Sequence, residues 1–187
     1  RGLAEFAVVF ALIWIAWING SLYLELHGRE DGRRRSIVFA QMGILVLLAV
    51  FTADAADGWG FAVVYATYQV LQTGLWYSVW RQDRRDHTEF LWLAGGYVVG
   101  MGVSATVILA SALLPATLRL IVWAGLAVAW IVGITLAARA SRAGLGLTPT
   151  DSLVERFGLF TIIVLGEVVI GVVDGLSVAE RDATTIV

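Results

Sequence analysis

VERFGLFTIIVLGEVVIGVVDG, Val154 to Gly175, decides the fold: it is an apolar run long enough to cross a bilayer, yet it carries charged groups at both ends and near its middle. A helix turns about 100° per residue, so Arg156, Glu167 and Asp174 fall within about 20° of one another, with Phe160, Ile163 and Ile170 filling the same face. One stripe therefore holds the charges. Glu167 lies 12 residues beyond Glu155, roughly 18 Å along the axis, which places a carboxyl past the bilayer midplane. An acidic group at that depth turns toward protein or trapped water, so this helix requires neighbours.

Those neighbours are expected from the rest of the chain. Of its 187 residues 59% are hydrophobic and only 15% are charged, against about 25% charged in soluble domains, and its mean hydropathy is +0.81. The composition is that of an integral membrane protein. Six apolar segments are separable, at 3–26, 37–53, 59–80, 90–114, 118–138 and 154–173. They predict an all-α bundle of six transmembrane helices forming a single membrane domain over 1–187.

Orientation follows from arginine, because the chain contains no lysine. Arg29, Arg33, Arg34 and Arg35 fall between the first two segments, Arg81, Arg84 and Arg85 between the third and fourth, and Arg139 and Arg142 before the last. The intervening connections hold Asp54 and Asp57, or a Pro115 turn followed by Arg119. This alternation is the positive-inside pattern, with Arg1 outside. An outward Arg1 and the lack of an initial methionine predict a segment of a longer protein with at least one earlier helix.

Polar residues recur at helical spacing inside the apolar runs. Leu12, Ala16, Asn19 and Tyr23 share a side of the first helix with Glu5 and His27; Gln41, Leu45, Leu48 and Thr52 share a face of the second; Tyr65, Gln69, Gln72 and Trp76 share a face of the third. A single amide in a membrane helix serves as interhelical glue, whereas two on one face also suit a polar lining. Gly96, Gly100 and Ser104 in the fourth helix, and Gly125, Ala129 and Gly133 in the fifth, predict close helix contact.

Several chemistries have no support in the residues. There is no cysteine, the histidines His27 and His87 stand apart, and the glycine-rich turn AGLGLTP lacks a phosphate-binding pattern, so no metal site and no cofactor are expected. With no nucleophile beside a base and no paired catalytic acids, no enzyme is expected either. The Arg33 to Arg35 run reads as a topology signal that meets anionic headgroups, not as a nucleic-acid site. The expected partners are the lipid bilayer, the remaining helices of the parent chain and, as a possibility, further copies of the protein.

ERFGLFTIIVLGE, Glu155 to Glu167, resembles the signature of the bacterial low temperature requirement A membrane proteins, and FALIWIAWINGSLYLELHGREDGRR, Phe10 to Arg34, is similar to the same family. The resemblance implies a protein of roughly twice this length, composed mostly of membrane helices and preceded by an acidic and aromatic first helix. Two parallel six-helix repeats, a known transporter architecture, are one arrangement of such a parent. The family name implies a part in growth in the cold, and the chain is expected in the bacterial inner membrane.

The resulting expectation is a transporter or channel for a small ion or solute. Glu167 is its central acidic group, Arg156 its inner gate or counter-charge, and Asn19, Gln69 and Gln72 line the path. Glu155 sits at its inner interface and Asp174 at its outer mouth, while His27 and Asp31 form an interfacial motif beneath the first helix. The competing expectation is a structural or sensory membrane protein whose polar groups only hold helices together, with Glu167 protonated and hydrogen-bonded to Asn19, Gln69 or Gln72.

Overall fold

In the computed structural model, residues 2–27, 32–53, 55, 57–86, 91–144 and 151–185 are described. They form six α-helices: α1 Gly2–His27, α2 Gly32–Val50, α3 Gly60–Asp86, α4 Leu91–Ser111, α5 Ala116–Gly144 and α6 Asp151–Thr185. Among the described residues there is no strand. Among the described residues three helices contain stretches long and apolar enough to cross a membrane, Gly2–Leu24, Leu91–Ser111 and Ala116–Ala137, and the apolar part of α2, Arg35–Val50, is shorter. Gln69, Gln72 and Thr73 dilute the apolar run of α3, and Glu155, Arg156 and Glu167 interrupt that of α6.

Several helices outrun the apolar segments that announce them. α3 continues six residues past Trp80 through Arg81–Asp86, and α5 continues past Ala138 through Arg139 and Arg142. Hydropathy marks where a helix can sit in hydrocarbon, not where its hydrogen-bond ladder stops, and arginine and glutamine are good helix formers. Arg33 to Arg35 likewise belong to the first turns of α2.

The chain divides into two compact units, Arg1–Gly146 and Leu147–Val187. In the first, α1 packs against α2, α3 and α5, α3 packs against α1, α2 and α4, and α4 packs against α5. Helices α1, α3, α4 and α5 thus close a ring, with α2 laid against α1 and α3. The ring is filled by Leu12, Ile15, Ala16, Tyr65, Trp76, Met101, Ile108 and Trp123. Most residues on the faces read from helical spacing are buried, Leu12, Ala16, Asn19 and Tyr23 in α1, Gln41 and Leu48 in α2, and Tyr65, Gln69, Gln72 and Trp76 in α3, while Glu5 and Leu45 are half-buried and Thr52 lies past the end of α2.

The small-residue stripes do something other than expected. α4 packs most extensively on α3, while Gly96, Gly100, Ser104, Ala129 and Gly133 line an apolar groove of about 670 Å³ between α4 and α5. A tryptophan holds those two helices apart. The Trp130 Nε1–H donates to Ser104 Oγ at 2.8 Å, and its ring lies 3.5 Å from the position a Cβ on Gly100 would take. Two turns away the same pairing recurs, with Trp123 Nε1–H donating to Ser111 Oγ at 2.8 Å. Both serines in turn donate to their own helix, Ser104 to Gly100 O at 2.7 Å and Ser111 to Ile108 O at 2.6 Å.

The second unit contains α6. Along it Glu155 and Glu167 are exposed and Arg156 is half-buried.

Candidate functional site

The polar centre of the first unit is built on α1 and α3, which run parallel. Tyr65 donates its hydroxyl to Leu12 O at 3.1 Å, and one turn further along Tyr68 donates to Ala16 O at 2.7 Å. Both phenols reach backbone carbonyls, so the register of the two helices is set by hydrogen bonds rather than by side-chain shape alone. The next turn is filled by amides. Gln41 Nε2 in α2 donates to Gln72 Oε1 at 3.1 Å, and Gln72 Nε2 donates to the Tyr68 hydroxyl at 3.1 Å. Gln41, Gln72, Tyr68 and the Ala16 carbonyl therefore form one chain of donors and acceptors tying three helices together. In a medium without water each of these bonds replaces an otherwise unsatisfied group, and such bonds contribute about 0.6–2 kcal/mol in membranes.

Gly20 makes that chain possible. A Cβ on Gly20 would stand 2.5 Å from the Tyr68 hydroxyl oxygen and 3.3 Å from Gln72 Nε2. Because Tyr68 is held by Ala16 O, it cannot yield without losing its bond. Gly20→Ala is expected to lower stability by about 2 kcal/mol, the usual cost of overpacking a filled site. Thermal unfolding of the detergent-purified protein measures it, and an unchanged midpoint would contradict the arrangement.

Asn19 and Gln69 are different. Both are fully buried, at 0% exposure, and neither the amide nitrogen nor the amide oxygen of either has a hydrogen-bond partner. An orphaned buried polar group costs about 1–3 kcal/mol, and buried side-chain amides are paired in the large majority of cases. Gln69 stands seven residues before Trp76 on α3, hence on nearly the same face, and Asn19 stands four residues before Tyr23 on α1. Trp76 and Tyr23 mark where those faces point. The Trp76 ring stacks on Tyr97 of α4 with centroids 4.3 Å apart, and Tyr23 meets it edge-on at 5.8 Å. Tyr97 continues the layer to Trp130 of α5 at 5.8 Å. Asn19 and Gln69 thus project toward the inside of the ring.

A second aromatic layer lies at the other end of the ring. Phe61 contacts Tyr65 at 5.9 Å and Trp123 at 5.2 Å between ring centroids. Beyond it Arg119, only 6% exposed, directs its guanidinium at four carbonyls: Ser111 O at 3.2 Å, Ala112 O at 2.9 Å, Leu114 O at 3.1 Å and Gly58 O at 2.5 Å. This arginine caps α4 and fastens the α2–α3 connection to it.

Of the residues named from sequence, the structure gathers Asn19, Gln69 and Gln72 in the first unit, where Gln72 is fully paired and the other two are not. Glu155, Arg156 and Glu167 belong to the second unit, where Arg156 and Glu167 are separated by three helical turns. Asp31 lies outside the described residues, as do the side chains of His27 and Asp174. Among the described residues no group of three or more His, Asp or Glu stands close enough to hold a metal ion. Sequence reasoning missed the Trp–Ser pairs and the Arg119 cap. The signal for the pairs was present: serines seven residues apart in one helix face tryptophans seven apart in the next, which is one face of each.

Comparison with known proteins bears on what holds this site. An uncharacterized protein of Rhizobium meliloti (strain 1021) is 27% identical over 179 residues, which is 90% of this chain and 42% of that protein, so the chain spans well under half the length of this relative. No solved structure matches the chain. The model of the bacterial low temperature requirement A proteins matches residues 1–187. Its reach over every helix described above, from the Asn19 face of α1 to the Glu167 stripe of α6, places the chain in that family: it belongs to the bacterial low temperature requirement A (LtrA) proteins.

Proposed function

We propose that the protein conducts a small ion or solute across the bacterial plasma membrane, with six crossings and the arginine-rich helix ends on the cytoplasmic side. The observation that carries this reading is the pair of fully buried, unpartnered amides, Asn19 and Gln69, in a membrane bundle whose other buried amides, Gln41 and Gln72, are bonded to each other. Groups that cost stability and hold nothing together are expected at a functional site. Glu167 supplies the acidic group of the path, and Arg156 the counter-charge nearer the cytoplasmic face. The α2–α3 chain of Gln41, Gln72 and Tyr68 favours a second reading, a structural or sensory membrane protein, because that chain is complete in itself.

Flux through liposomes carrying the full-length protein separates the two. The transport reading expects flux above protein-free liposomes for at least one of a panel of protons, monovalent cations and small neutral solutes, reduced at least fivefold by Glu167→Gln. Flux that Glu167→Gln leaves undiminished removes Glu167 from the path, and no flux for any member of the panel favours the structural or sensory protein.

A further inference from the structure

The ring interior has a chemical character that narrows what Asn19 and Gln69 can bind. Between Glu5 and Arg119 at one end and Arg81 at the other, the ring segments 6–24, 61–80, 91–111 and 120–137 contain no Asp, Glu, Lys, Arg or His. A bare ion entering that zone would meet no counter-charge, which a low-dielectric interior disfavours strongly. Carbonyl oxygens can replace an ion's hydration shell only when many converge, as in the rings that line cation-selective filters. Two carboxamide oxygens fall far short. What two carboxamides do offer is four N–H donors and two carbonyl acceptors, the set that complements a neutral molecule able both to donate and to accept.

The position of the two amides adds a second constraint. Gln69 follows Tyr65 by one turn and precedes Trp76 by two, so it stands about 6 Å from one aromatic layer and about 10 Å from the other along α3. The layer of Phe61, Tyr65 and Trp123 closes the ring on one side, and that of Tyr23, Trp76, Tyr97 and Trp130 on the other. The ring is otherwise filled by apolar side chains, Ile15 and Met101 among them, which limits a molecule held between the layers to a few heavy atoms. The partnered Gln41–Gln72 pair in the same bundle shows that an amide serving only as glue finds a mate here.

We infer that Asn19 and Gln69 form an occluded binding site for a small neutral solute of the amide or urea class, closed on both sides by aromatic layers. The inference rests on the transport reading above and specifies its substrate.

The test uses the full-length protein in liposomes. Urea and acetamide fluxes are followed by stopped-flow light scattering and potassium flux by a potential-sensitive dye, for the native protein, Asn19→Leu and Gln69→Met. The expected result is flux of urea or acetamide above protein-free liposomes, reduced at least fivefold in each variant. The unfolding temperature of each variant is expected to stay level or rise, because each substitution removes an orphaned amide while keeping its volume; a level or raised value shows that lost flux is not lost folding. Potassium flux without urea or acetamide flux would overturn the neutral-solute assignment and leave the transport reading standing. Urea or acetamide flux indifferent to both variants would overturn the site. No flux of any of the three probes would overturn the inference, and the wider panel above then decides the fate of the transport reading.

Discussion

Arg119→Met is expected to lower the unfolding free energy of the bundle by about 4 kcal/mol, the largest loss of any single substitution considered. Methionine keeps the apolar stem and removes the guanidinium, which donates to Ser111 O, Ala112 O, Leu114 O and Gly58 O. Hydrogen bonds to a charged donor contribute about 1.5–3 kcal/mol each, and four of them would exceed 4 kcal/mol if every carbonyl stayed dry. The turn lies at the end of the helices, where some carbonyls regain water, and the discounted figure reflects that. The charge also sits at the C-terminus of α4, where the helix dipole favours a cation. Arg119→Lys is expected to recover less than half of the loss, because an ammonium cannot present the planar fork that reaches two connections at once. Equilibrium unfolding in mixed micelles measures both variants, and a loss under 1 kcal/mol for Arg119→Met would mean that the four bonds are replaced by solvent at no cost. The same variant should expose the α2–α3 connection, Phe51 to Trp59, to protease, since Gly58 O is one of the four carbonyls.

How much of this was legible in the sequence depends on whether a residue acts through its own helix or through another. The faces of α1, α2 and α3 were readable because burial in a bundle follows helical period, and Asn19, Gln69 and Gln72 lie where that period puts them. Nothing in the period tells a paired amide from an orphaned one. Gln72 and Gln69 differ only in what stands opposite, Gln41 and Tyr68 for the first and no partner for the second. Arg119 was legible only as an exception to the charge pattern, since the carbonyls it caps belong to α4 and to the α2–α3 connection. The small-residue stripes misdirected for a related reason. Gly96, Gly100, Ala129 and Gly133 permit close approach, but Trp130 spans the gap to Ser104 and leaves a groove instead. For α6 the helical wheel aligns Arg156 with Glu167, but a stripe read from one helix alone does not tell what covers that face, and Glu167 is exposed.

Trp76→Ala is expected to cost about 3 kcal/mol, the low end of the range for removing a buried aromatic side chain. The figure is low for a physical reason. In a soluble protein, truncating a core tryptophan forfeits both its transfer from water and its packing, whereas a helix unfolding within lipid keeps its side chains in an apolar medium. What remains is the cavity term, the lost dispersion contacts between Trp76 and the rings around it. Those contacts are extensive: Trp76 is 0% exposed, stacks on Tyr97 at 4.3 Å with the ring planes 10° apart, and meets Tyr23 edge-on. Trp76→Phe retains a stacked ring against Tyr97 and is expected to lose less than half as much. Through Tyr23 and Tyr97 the Trp76 ring ties α3 to α1 and α4, so the truncation loosens two helix contacts through one side chain. It also removes the lid over Asn19 and Gln69 on the Trp76 side, so in liposomes the alanine variant is expected to pass urea faster than the native protein while the phenylalanine variant does not. A stability loss with no rise in urea flux would leave Trp76 as packing alone. A rise in flux confined to Trp76→Ala would tie the closure of the site to the size of one ring, since Trp76→Phe keeps the aromatic face and gives up only the indole's extra width.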